Sequence, residues 1–481
     1  MTGGTTRSQD QSRYLSEDTI AAFSTPLGGA VAVLRMSGPR SIFVLERMVA
    51  SGWIAGKEPR KLYRGPLLDL AKEILDDPLI AFFKAPSSFT GEDCVEVHVH
   101  GSSAVATRLF DVLHELGVRQ ALPGEFSFRA VRNGKLSLAQ AEATADLIAS
   151  SNPEAAKLAL EKMSGTQNRL VAGIAESLRT IATLGEAGID FSDQDLEEVS
   201  LPSLRKRIAP VREKLEALRA SYGRGLRVQE GISVAFVGLP NAGKSSFFNA
   251  LLGEDRSIVS EVAGTTRDVV RERLTLRGKK TSVTLRLEDT AGLRPTEDRV
   301  EKIGIERTQR VVQASDLVLL IVDGSLDDKG FALSLDQLRT EWSQLGRPSA
   351  KSLGVITKID LAAKSGQIEA HLGKLAEFGL SRWLETSATE NVGVTEAASS
   401  IADFCESWIH RSPSEVLLTR LDHVRAAEAA VVDLDRALQA SELDLFAADV
   451  RQSLHSLSPM IGDTVPDDIL GRIFSEFCIG K

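Results

Sequence analysis

Cysteine and aromatic residues are scarce in this sequence. Its 481 residues include three cysteines, Cys94, Cys405 and Cys478, which lie far apart. An odd number at such spacings argues against a disulfide framework or a thiolate zinc site and for a reducing compartment, so we expect a cytoplasmic protein. With 18 Phe, 4 Trp and 3 Tyr, the cores must be mostly aliphatic, which favours helices and parallel sheets over an all-β sandwich.

Long apolar runs are also missing. No uninterrupted run approaches the roughly 20 residues that a membrane span needs, and the polar stretch 1–17 has no apolar signal-peptide core. We therefore expect neither secretion nor membrane insertion. A formal net charge of −9 argues against indiscriminate binding of polyanions, so any nucleic acid would have to be bound by a local basic patch.

The pattern of apolar residues changes along the chain and divides it into parts. Residues 94–101, CVEVHVHG, alternate like a half-buried strand with Glu96, His98 and His100 on its polar face. From about residue 135 the period is helical, from 232 strand-like runs alternate with helical stretches, and after 415 the helical period returns. The predicted parts are 1–17 (a polar, disordered tail), 18–134, 135–229, 230–410 and 411–481, with the α/β part inserted into a helical one.

Three apolar stripes predict long helices. Their members are Leu170, Ile174, Leu178, Ile181 and Leu184; then Leu204, Ile208, Val211, Leu215 and Leu218; then Leu421, Val424, Ala427, Val431, Leu434 and Leu438. Spacings of three and four place each stripe on one helix face. The first two helices, joined by the acidic segment 190–198, are predicted to form an antiparallel pair.

The segment GLPNAGKSS, residues 238–246, fits the pattern G-x-x-x-x-G-K-[ST] between a strand and a helix. In such a loop backbone N–H groups surround phosphates, Lys244 reaches the β- and γ-phosphate oxygens, and the Ser245 hydroxyl binds Mg²⁺. The alternative is a glycine-rich turn without a nucleotide.

Four later motifs favour GTP over that alternative. LEDTAG places Asp289 where a carboxylate holds the Mg²⁺ water and Gly292 near the γ-phosphate, and AGTTRD offers Thr266 as a Mg²⁺ ligand. TKID provides Asp360, which can accept hydrogen bonds from the N1 and N2 edge of guanine, and TSAT (386–389) lies where GTPases cap the base. This order resembles that of GTPases of the translation-factor class.

Two departures affect binding and catalysis. Thr357 stands where many GTPases have an asparagine that supports the P-loop, which predicts weaker nucleotide affinity. Leu293 stands where small signalling GTPases have a glutamine that orients the attacking water, so hydrolysis must recruit another group.

Taken together, GLPNAGKSS, AGTTRD, DTAGLR, VEKIGIER, SFTGED, LPGEFSFRA, GKLSLAQAEA and GRIFSEFCIGK resemble the MnmE (TrmE) family of tRNA-modification GTPases, from about residue 18 to residue 481. The resemblance implies a multi-domain α/β plus all-α protein. An N-terminal α+β domain would bind folate and dimerise, a helical domain would form from the middle and C-terminal segments, and a Ras-like P-loop GTPase domain with a doubly wound, mostly parallel sheet would be inserted.

The same resemblance implies a homodimer that works with the FAD-dependent protein MnmG, as a heterotetramer, on tRNA. An aminomethyl-type group, with its carbon from 5-formyl- or 5,10-methylene-tetrahydrofolate, would be added at C5 of the wobble uridine. The competing hypothesis is an RNA-binding GTPase switch in ribosome assembly, which would need no folate site.

For GTP hydrolysis the family implies a K⁺ ion in place of an arginine finger when two G domains meet. The K⁺ ligands would be Asn241, Ser260, Val262 and Thr265, and Glu301 would orient the water with Lys244 and Thr266 as further catalytic residues. Without the family, Glu301 would be one solvated charge. The residues assigned to GTP are Asn241, Ala242, Gly243, Lys244, Ser245, Ser246, Ser260, Glu261, Val262, Ala263, Gly264, Thr265, Thr266, Asp289, Thr290, Ala291, Gly292, Thr357, Lys358, Asp360, Ser387 and Ala388.

For folate, the family implies Arg35, Glu96, Lys135 and Lys481 as ligands. The glycine-rich loop before Arg35 is one residue shorter than the family's, which puts its contacts in question. A Glu-x-His-x-His metal site on the strand 94–101 is the alternative use of Glu96.

The C-terminal segment FCIGK, residues 477–481, is predicted to be held in place rather than to be a free tail. Phe477 and Ile479 would anchor the tail, Gly480 would allow a close approach, and Lys481 would meet the folate. Cys478 is either a nucleophile toward a uracil ring or an inert thiol.

A cluster of basic residues lies between 205 and 227. It either follows tRNA phosphates or forms a solvated helix face. Its members are Arg205, Lys206, Arg207, Arg212, Lys214, Arg219, Arg224 and Arg227.

Overall fold

The computed structural model describes residues 14, 16–190, 197–254, 273–287, 311–345, 351–362, 366–380, 382–412, 415–461, 474, 477 and 480. The chain forms two compact units: residues 1–145, 161–208 and 432–481 make up the first, and residues 146–160 and 209–431 the second. The finer division into domains remains a prediction. No helix in the described ranges is long and apolar enough to cross a membrane.

The strands in chain order are β1 (Ile20–Phe23), β2 (Val31–Ser37), β3 (Tyr63–Arg64), β4 (Leu67–Leu68), β5 (Ile74–Asp76), β6 (Leu79–Phe83), β7 (Cys94–His100), β8 (Arg119–Gln120), β9 (Ile232–Val237), β10 (Arg273–Arg277), β11 (Ser282–Leu287), β12 (Leu317–Asp323), β13 (Ser352–Thr357) and β14 (Trp383–Glu385). Within the described ranges, 3₁₀ turns span Glu197–Val199, Ile359–Leu361 and Ala376–Phe378.

The α-helices are α1 (Ser41–Met48), α2 (Ser103–Glu115), α3 (Glu125–Arg132), α4 (Leu138–Ala149), α5 (Pro153–Met163), α6 (Thr166–Asp190), α7 (Leu201–Ala220), α8 (Tyr222–Glu230), α9 (Lys244–Glu254), α10 (Asp328–Leu345), α11 (Gln367–Leu375), α12 (Val394–Ile409), α13 (Leu421–Gln439), α14 (Leu443–Ser456) and α15 (Ser458–Ile461).

The first unit contains a six-stranded sheet in the order β3-β6-β7-β2-β1-β8. Its neighbours are antiparallel except the parallel pair β1 and β8. The predicted alternation of β7 is confirmed: Val95, Val97 and Val99 are buried in a core shared with α1 and α2. The opposite face of β7 carries Glu96 and His98, so one face of the sheet is a core and the other presents polar side chains.

A buried ionic network fixes α3 to the sheet. Arg129, whose side chain is 3% exposed, donates to Asp18 Oδ1 at 2.8 Å, to Glu92 Oε2 at 3.1 Å and to Glu125 Oε1 at 3.0 Å. Arg119 pairs with the same Asp18 and Glu125. Burial raises the pKa of Asp18, but the hydrogen bonds and charges of the two arginines outweigh it and lower that pKa overall.

The helical part of the first unit buries the stripe of α6 and packs this helix against α14. The central members of the stripe, Ile174, Leu178 and Ile181, are buried as expected. The most extensive helix–helix contact of α6 among the described residues is with α14, and its antiparallel pairing with α7 stays a prediction. Two glycines explain the close approach: a Cβ on Gly185 would lie 3.2 Å from Ala447 Cβ, and one on Gly188 would lie 2.5 Å from Leu443 Cδ2.

The second unit is built on a six-stranded sheet in the order β10-β11-β9-β12-β13-β14. Only the pair β10 and β11 is antiparallel; the other pairs are parallel. Alternate residues of β12 point into two apolar cores, one with Phe247 and Ile401 and the other with Phe331 and Leu375. Helices therefore cover both faces, which agrees with the predicted doubly wound, mostly parallel sheet.

The apolar stripes of α7 and α13 are buried to different extents. All five members of the α7 stripe are buried. On α13, Ala427, Val431 and Leu434 are buried, whereas Leu421, the first residue of the helix, is 49% exposed. The stripe is therefore buried in the middle of α13 and exposed at its first residue.

Candidate functional site

The loop between β9 and α9 has the backbone of a phosphate-binding loop. Asn241 has φ 63° and Gly243 has φ 85°, both in the left-handed region. A Cβ on Gly243 would lie 2.9 Å from Thr357 Oγ1, and one on Gly238 would lie 2.3 Å from Ile321 O. Close contacts therefore require glycine at both positions, and at Gly243 the left-handed backbone requires it as well.

Lys244 begins α9, directly after the loop. Its Nζ donates to Gly238 O at 2.7 Å and to Leu239 O at 2.8 Å. The ammonium group thus lies across the loop that would surround a phosphate. Ser245 and Ser246 follow in the first turn, where the helix N-terminus favours anions, and the buried Phe247 and Phe248 fix α9 to the sheet.

Thr357, at the end of β13, supports this loop from below. Its hydroxyl lies 2.7 Å from Ala242 O and 3.1 Å from Val322 O, and the residue is 4% exposed. A hydroxyl has one proton to donate, so it satisfies one of these carbonyls fully at a time. A threonine therefore links the P-loop to β12 and β13 where the amide of an asparagine was expected.

Lys358, which was predicted to bind GTP, adds a second link between the P-loop and the sheet. Its Nζ donates to Asn241 O at 2.7 Å and to Asp323 Oδ2 at 2.6 Å. Burial raises the pKa of Asp323, but the hydrogen bonds from Lys358 and Ser325 and the charge of Lys358 lower it overall, so the carboxylate is ionised. Asp323 was not among the predicted residues. Its position at the carboxyl end of β12, where ligand-binding residues of parallel sheets lie, could have indicated a role in the site.

The predicted base-binding residues lie at the same edge of the sheet. Asp360 is exposed in the 3₁₀ turn Ile359–Leu361. Ile359 N donates to Thr386 O at 3.4 Å, which joins this turn to the loop after β14. In that loop Ser387 is fully buried and closes a turn with Val392 through hydrogen bonds of 2.8 and 3.0 Å, while Ala388 is partly exposed beside it.

Several predicted residues lie outside the described residues. They are Ser260, Glu261, Val262, Ala263, Gly264, Thr265, Thr266, Asp289, Thr290, Ala291, Gly292, Glu301, Cys478 and Lys481, together with Leu293 and Ile479. The structure thus bears on the P-loop and on Thr357, Lys358, Asp360, Ser387 and Ala388.

A second polar site lies on the open face of the first unit's sheet. Arg35 on β2 stands opposite Glu96 on β7 and donates to Glu96 Oε1 from Nε at 3.0 Å and from Nη2 at 2.8 Å. The guanidinium carbon lies 5.1 Å from the ring centre of Phe89 and 5.7 Å from that of Phe126. Neither phenylalanine was predicted, although both belong to the quoted motifs SFTGED and LPGEFSFRA.

Lys135 follows α3 and is the third predicted member of this site. Its Nζ donates to Pro86 O at 2.9 Å, and its Cγ lies 3.2 Å from where Gly91 would carry a Cβ. These contacts tie Lys135 to the segment 86–91, which contains Phe89. The described contacts give no ion pair between Lys135 and Glu96.

The metal alternative for β7 finds no support in the geometry of its three residues. Glu96 is paired with Arg35, and His100 Nδ1 lies 2.7 Å from Asp76 Oδ1. His98 Nε2 is 4.0 Å from Glu96 Oε2, longer than a hydrogen bond. Glu96 and His100 are thus engaged by different partners rather than directed at one ion.

The C-terminal tail is held near this site. Phe474 is fully buried with Phe477 on one side, 4.9 Å between ring centres, and Phe128 on the other, at 5.8 Å. Gly480 has φ 96°, and a Cβ there would lie 2.1 Å from Phe23 O. Ser24 Oγ donates to Gly480 O at 3.0 Å. The predicted anchoring role of Phe477 and the predicted close approach of Gly480 are confirmed.

Comparison with known proteins identifies the family. The model of the MnmE helical domain matches residues 138–478, which is most of the chain, and the model of the GTP-binding protein TrmE N-terminus matches residues 19–135. The chain belongs to the MnmE family.

Curated members of the MnmE family match over nearly their whole length. Proteins named tRNA modification GTPase MnmE from Acetivibrio thermocellus, Protochlamydia amoebophila and Neisseria gonorrhoeae are 33%, 35% and 36% identical. The matches cover 97%, 97% and 96% of this chain and 99%, 98% and 99% of those proteins. Both the P-loop unit and the Arg35 site lie within the aligned lengths.

In this MnmE-family chain the basic segment 205–227 is partly neutralised. Arg219 pairs with Glu216 and Glu428, Arg224 with Glu415, and Arg227 with Asp316. Arg205 Nη2 donates to Ala440 O at 2.6 Å. The exposed members Lys206, Arg207 and Lys214 retain the potential to meet phosphates.

Proposed function

We propose that this chain hydrolyses GTP and uses the reaction to modify tRNA. With MnmG, an FAD-dependent protein, it would add a folate-derived aminomethyl-type group at C5 of the wobble uridine of certain tRNAs. Membership of a family whose curated members are named tRNA modification GTPases supports this proposal. The observation that carries it is the combination, in one chain, of a P-loop closed by Lys244 and Thr357 with the separate Arg35–Glu96 site.

The P-loop unit fits GTP and Mg²⁺. A left-handed backbone at Asn241 and Gly243 and the first turn of α9 are the features with which a P-loop presents backbone N–H groups to a phosphate. Ser245, with Thr266, would hold Mg²⁺ directly and Asp289 would hold it through water. Asp360 would select guanine, and Ser387 and Ala388 would cover the base. The ion supplies positive charge for phosphoryl transfer when bound.

Hydrolysis would use K⁺ and pairing of two inserted G domains within a homodimer. Asn241, Ser260, Val262 and Thr265 would hold K⁺, and Glu301 would orient water in place of the missing glutamine. A cation fixed at the bridge between the β- and γ-phosphates offsets the charge that develops there. GTP turnover is therefore expected to be at least tenfold faster in KCl than in NaCl at equal ionic strength, measured as phosphate release. Equal rates would contradict the K⁺ mechanism.

The Arg35 site would bind the tetrahydrofolate derivative. Arg35, Glu96, Lys135 and Lys481 would be its polar ligands, and Phe89 and Phe126 give the site an aromatic wall. Gly480, which lies against Phe23 O of the sheet, directly precedes Lys481 in the sequence. A carboxylate paired with a guanidinium suits a ligand that offers both hydrogen-bond donors and carboxylates.

Mass spectrometry of tRNA nucleosides tests the proposal as a whole. In cells that lack this protein, the C5-modified wobble uridine is expected to disappear and to return on expression of the wild-type chain. Lys244→Ala should fail to restore it, because the phosphate-binding cation is lost. Persistence of the modified nucleoside in the deletion strain would refute the assignment.

A further inference from the structure

A buried histidine nitrogen next to Glu96 lacks a hydrogen-bond partner. The Nε2 atom of His98 is buried from solvent, and no described residue donates to it or accepts from it. A buried polar atom without a partner is unfavourable and uncommon, so such an atom calls for an explanation.

The neighbours of His98 across the sheet cannot supply that partner. On β7 it pairs with Val33 of β2 on one side and with Leu79 of β6 on the other, and both are apolar. Along the strand, residues two apart share a face. One such neighbour, His100, is already bound to Asp76; the other is Glu96.

The Glu96 carboxylate has one oxygen available for this purpose. Both donors of Arg35 reach Oε1, and the described hydrogen bonds of Glu96 do not include Oε2. His98 Nε2 lies 4.0 Å from that Oε2, about 1 Å beyond a normal N–H···O distance. A small rotation of either side chain closes the gap.

We infer that His98 is a positioning residue of the Arg35–Glu96 site. Arg35 holds Oε1 and His98 holds Oε2, so the carboxylate plane is fixed from two sides when a ligand donates hydrogen bonds to it. The neutral imidazole with its proton on Nε2 is sufficient for this role. The inference rests on the proposed folate-binding function, because it concerns how the same site orients a reduced pterin.

Binding of 5-formyl-tetrahydrofolate to the full-length chain, measured by calorimetry, tests the inference. His98→Phe is expected to weaken binding roughly tenfold, because a hydrogen bond to an ionised carboxylate is lost. His98→Gln keeps an N–H donor of similar reach and is expected to stay within about threefold of the wild type. His114→Phe is the matched control, since His114 is exposed on α2, which packs on the opposite face of the sheet.

The outcomes separate this inference from the folate proposal. If the wild type binds and Glu96→Ala does not, but His98→Phe equals the wild type, only the role of His98 is refuted. If the wild type does not bind, the folate proposal and the inference both fail. Loss of binding in His98→Gln as well as in His98→Phe, with unchanged thermal unfolding, would also overturn the hydrogen-bond role. In ¹⁵N-histidine spectra the His98 Nε2 signal should shift when ligand binds.

Discussion

At the residue scale, the hydroxyl of Thr357 joins the P-loop to the sheet of the second unit. The motif TKID predicts the position of this residue and the absence of the usual asparagine. It could not show that one hydroxyl lies within reach of two carbonyls, Ala242 O at 2.7 Å and Val322 O at 3.1 Å, because those carbonyls come from segments far apart in sequence. The sequence gives the identity of residue 357, but the two contacts of its hydroxyl depend on the register in which β12 and β13 pair.

Replacing Thr357 therefore gives a direct test of the P-loop support. Thr357→Val keeps the volume but removes the single donor that Ala242 O and Val322 O share, so we expect the free energy of unfolding of the second unit to fall by about 1–3 kcal/mol. Nucleotide affinity should fall with it. Thr357→Ser, which keeps the hydroxyl, is the control, and urea unfolding with and without GDP measures both effects. Equal stability of the valine and serine variants would contradict the role.

We also expect a single residue, His371, to make the stability of the second unit depend on pH. It is fully buried, stacked 3.6 Å from Phe331, and neither ring nitrogen has a hydrogen-bond partner among the described residues. Burial, together with the charge of Lys374, lowers its pKa below 6.5, and Asp328 opposes this weakly. As the pH falls, His371 is therefore protonated in the unfolded chain at a higher pH than in the folded one. The second unit thus loses stability as the pH falls below about 6.5.

His371→Phe should remove this contribution. Above pH 7 the variant and the wild type are expected to have similar pH profiles; between pH 6.5 and 5 the wild type should lose stability more steeply. Thermal unfolding at half-unit pH steps measures the difference. Parallel profiles over the whole range would show that His371 is not the titrating group.

At the element scale, the ionic network around α3 is expected to contribute strongly to the stability of the first unit. Glu125 is fully buried, and removing Arg129 would leave it with only Arg119 as a cationic partner. Breaking a buried pair by removing one partner costs about 3–5 kcal/mol. Arg129→Met should lower the free energy of unfolding of the first unit by that order, measured by urea unfolding.

Arg132→Met provides the comparison for that experiment. Arg132 lies on the same helix but is exposed, and such surface substitutions usually change stability by less than about 0.5 kcal/mol. If both variants unfolded alike, the network would be no more than a set of surface contacts.

Element existence was more predictable from sequence than element pairing. The alternation of Val95, Val97 and Val99 and the stripe of α7 follow from periodicity alone. The pairing of α6 with α14 does not, because it depends on small residues, Gly185 and Gly188, whose importance appears only when a second helix approaches. In the candidate site, Arg35 and Glu96 were predicted, but Phe89 and Phe126 were not. The motifs that contain these two phenylalanines do not show that their rings pack against Arg35.

At the scale of the whole molecule, the C-terminus is joined to the N-terminal sheet through Gly480. Its φ of 96° and the 2.1 Å that would separate a Cβ from Phe23 O leave no room for a side chain. Gly480→Ala should therefore release the tail from Phe23 and Ser24. Because Lys481 is the proposed folate ligand, we expect folate affinity to fall at least tenfold, measured by calorimetry, while GTP turnover in KCl stays near the wild-type rate.

Gly52→Ala is the matched control for this substitution. Gly52 also has a positive φ, 74°, in the same unit, but a Cβ there would meet nothing within 4 Å. Its backbone strain is therefore similar, at roughly 1 kcal/mol, without displacement of the tail. If Gly480→Ala and Gly52→Ala bound folate equally well, the tail would not contribute to the site. If both lost affinity, strain in the first unit rather than tail position would explain the loss.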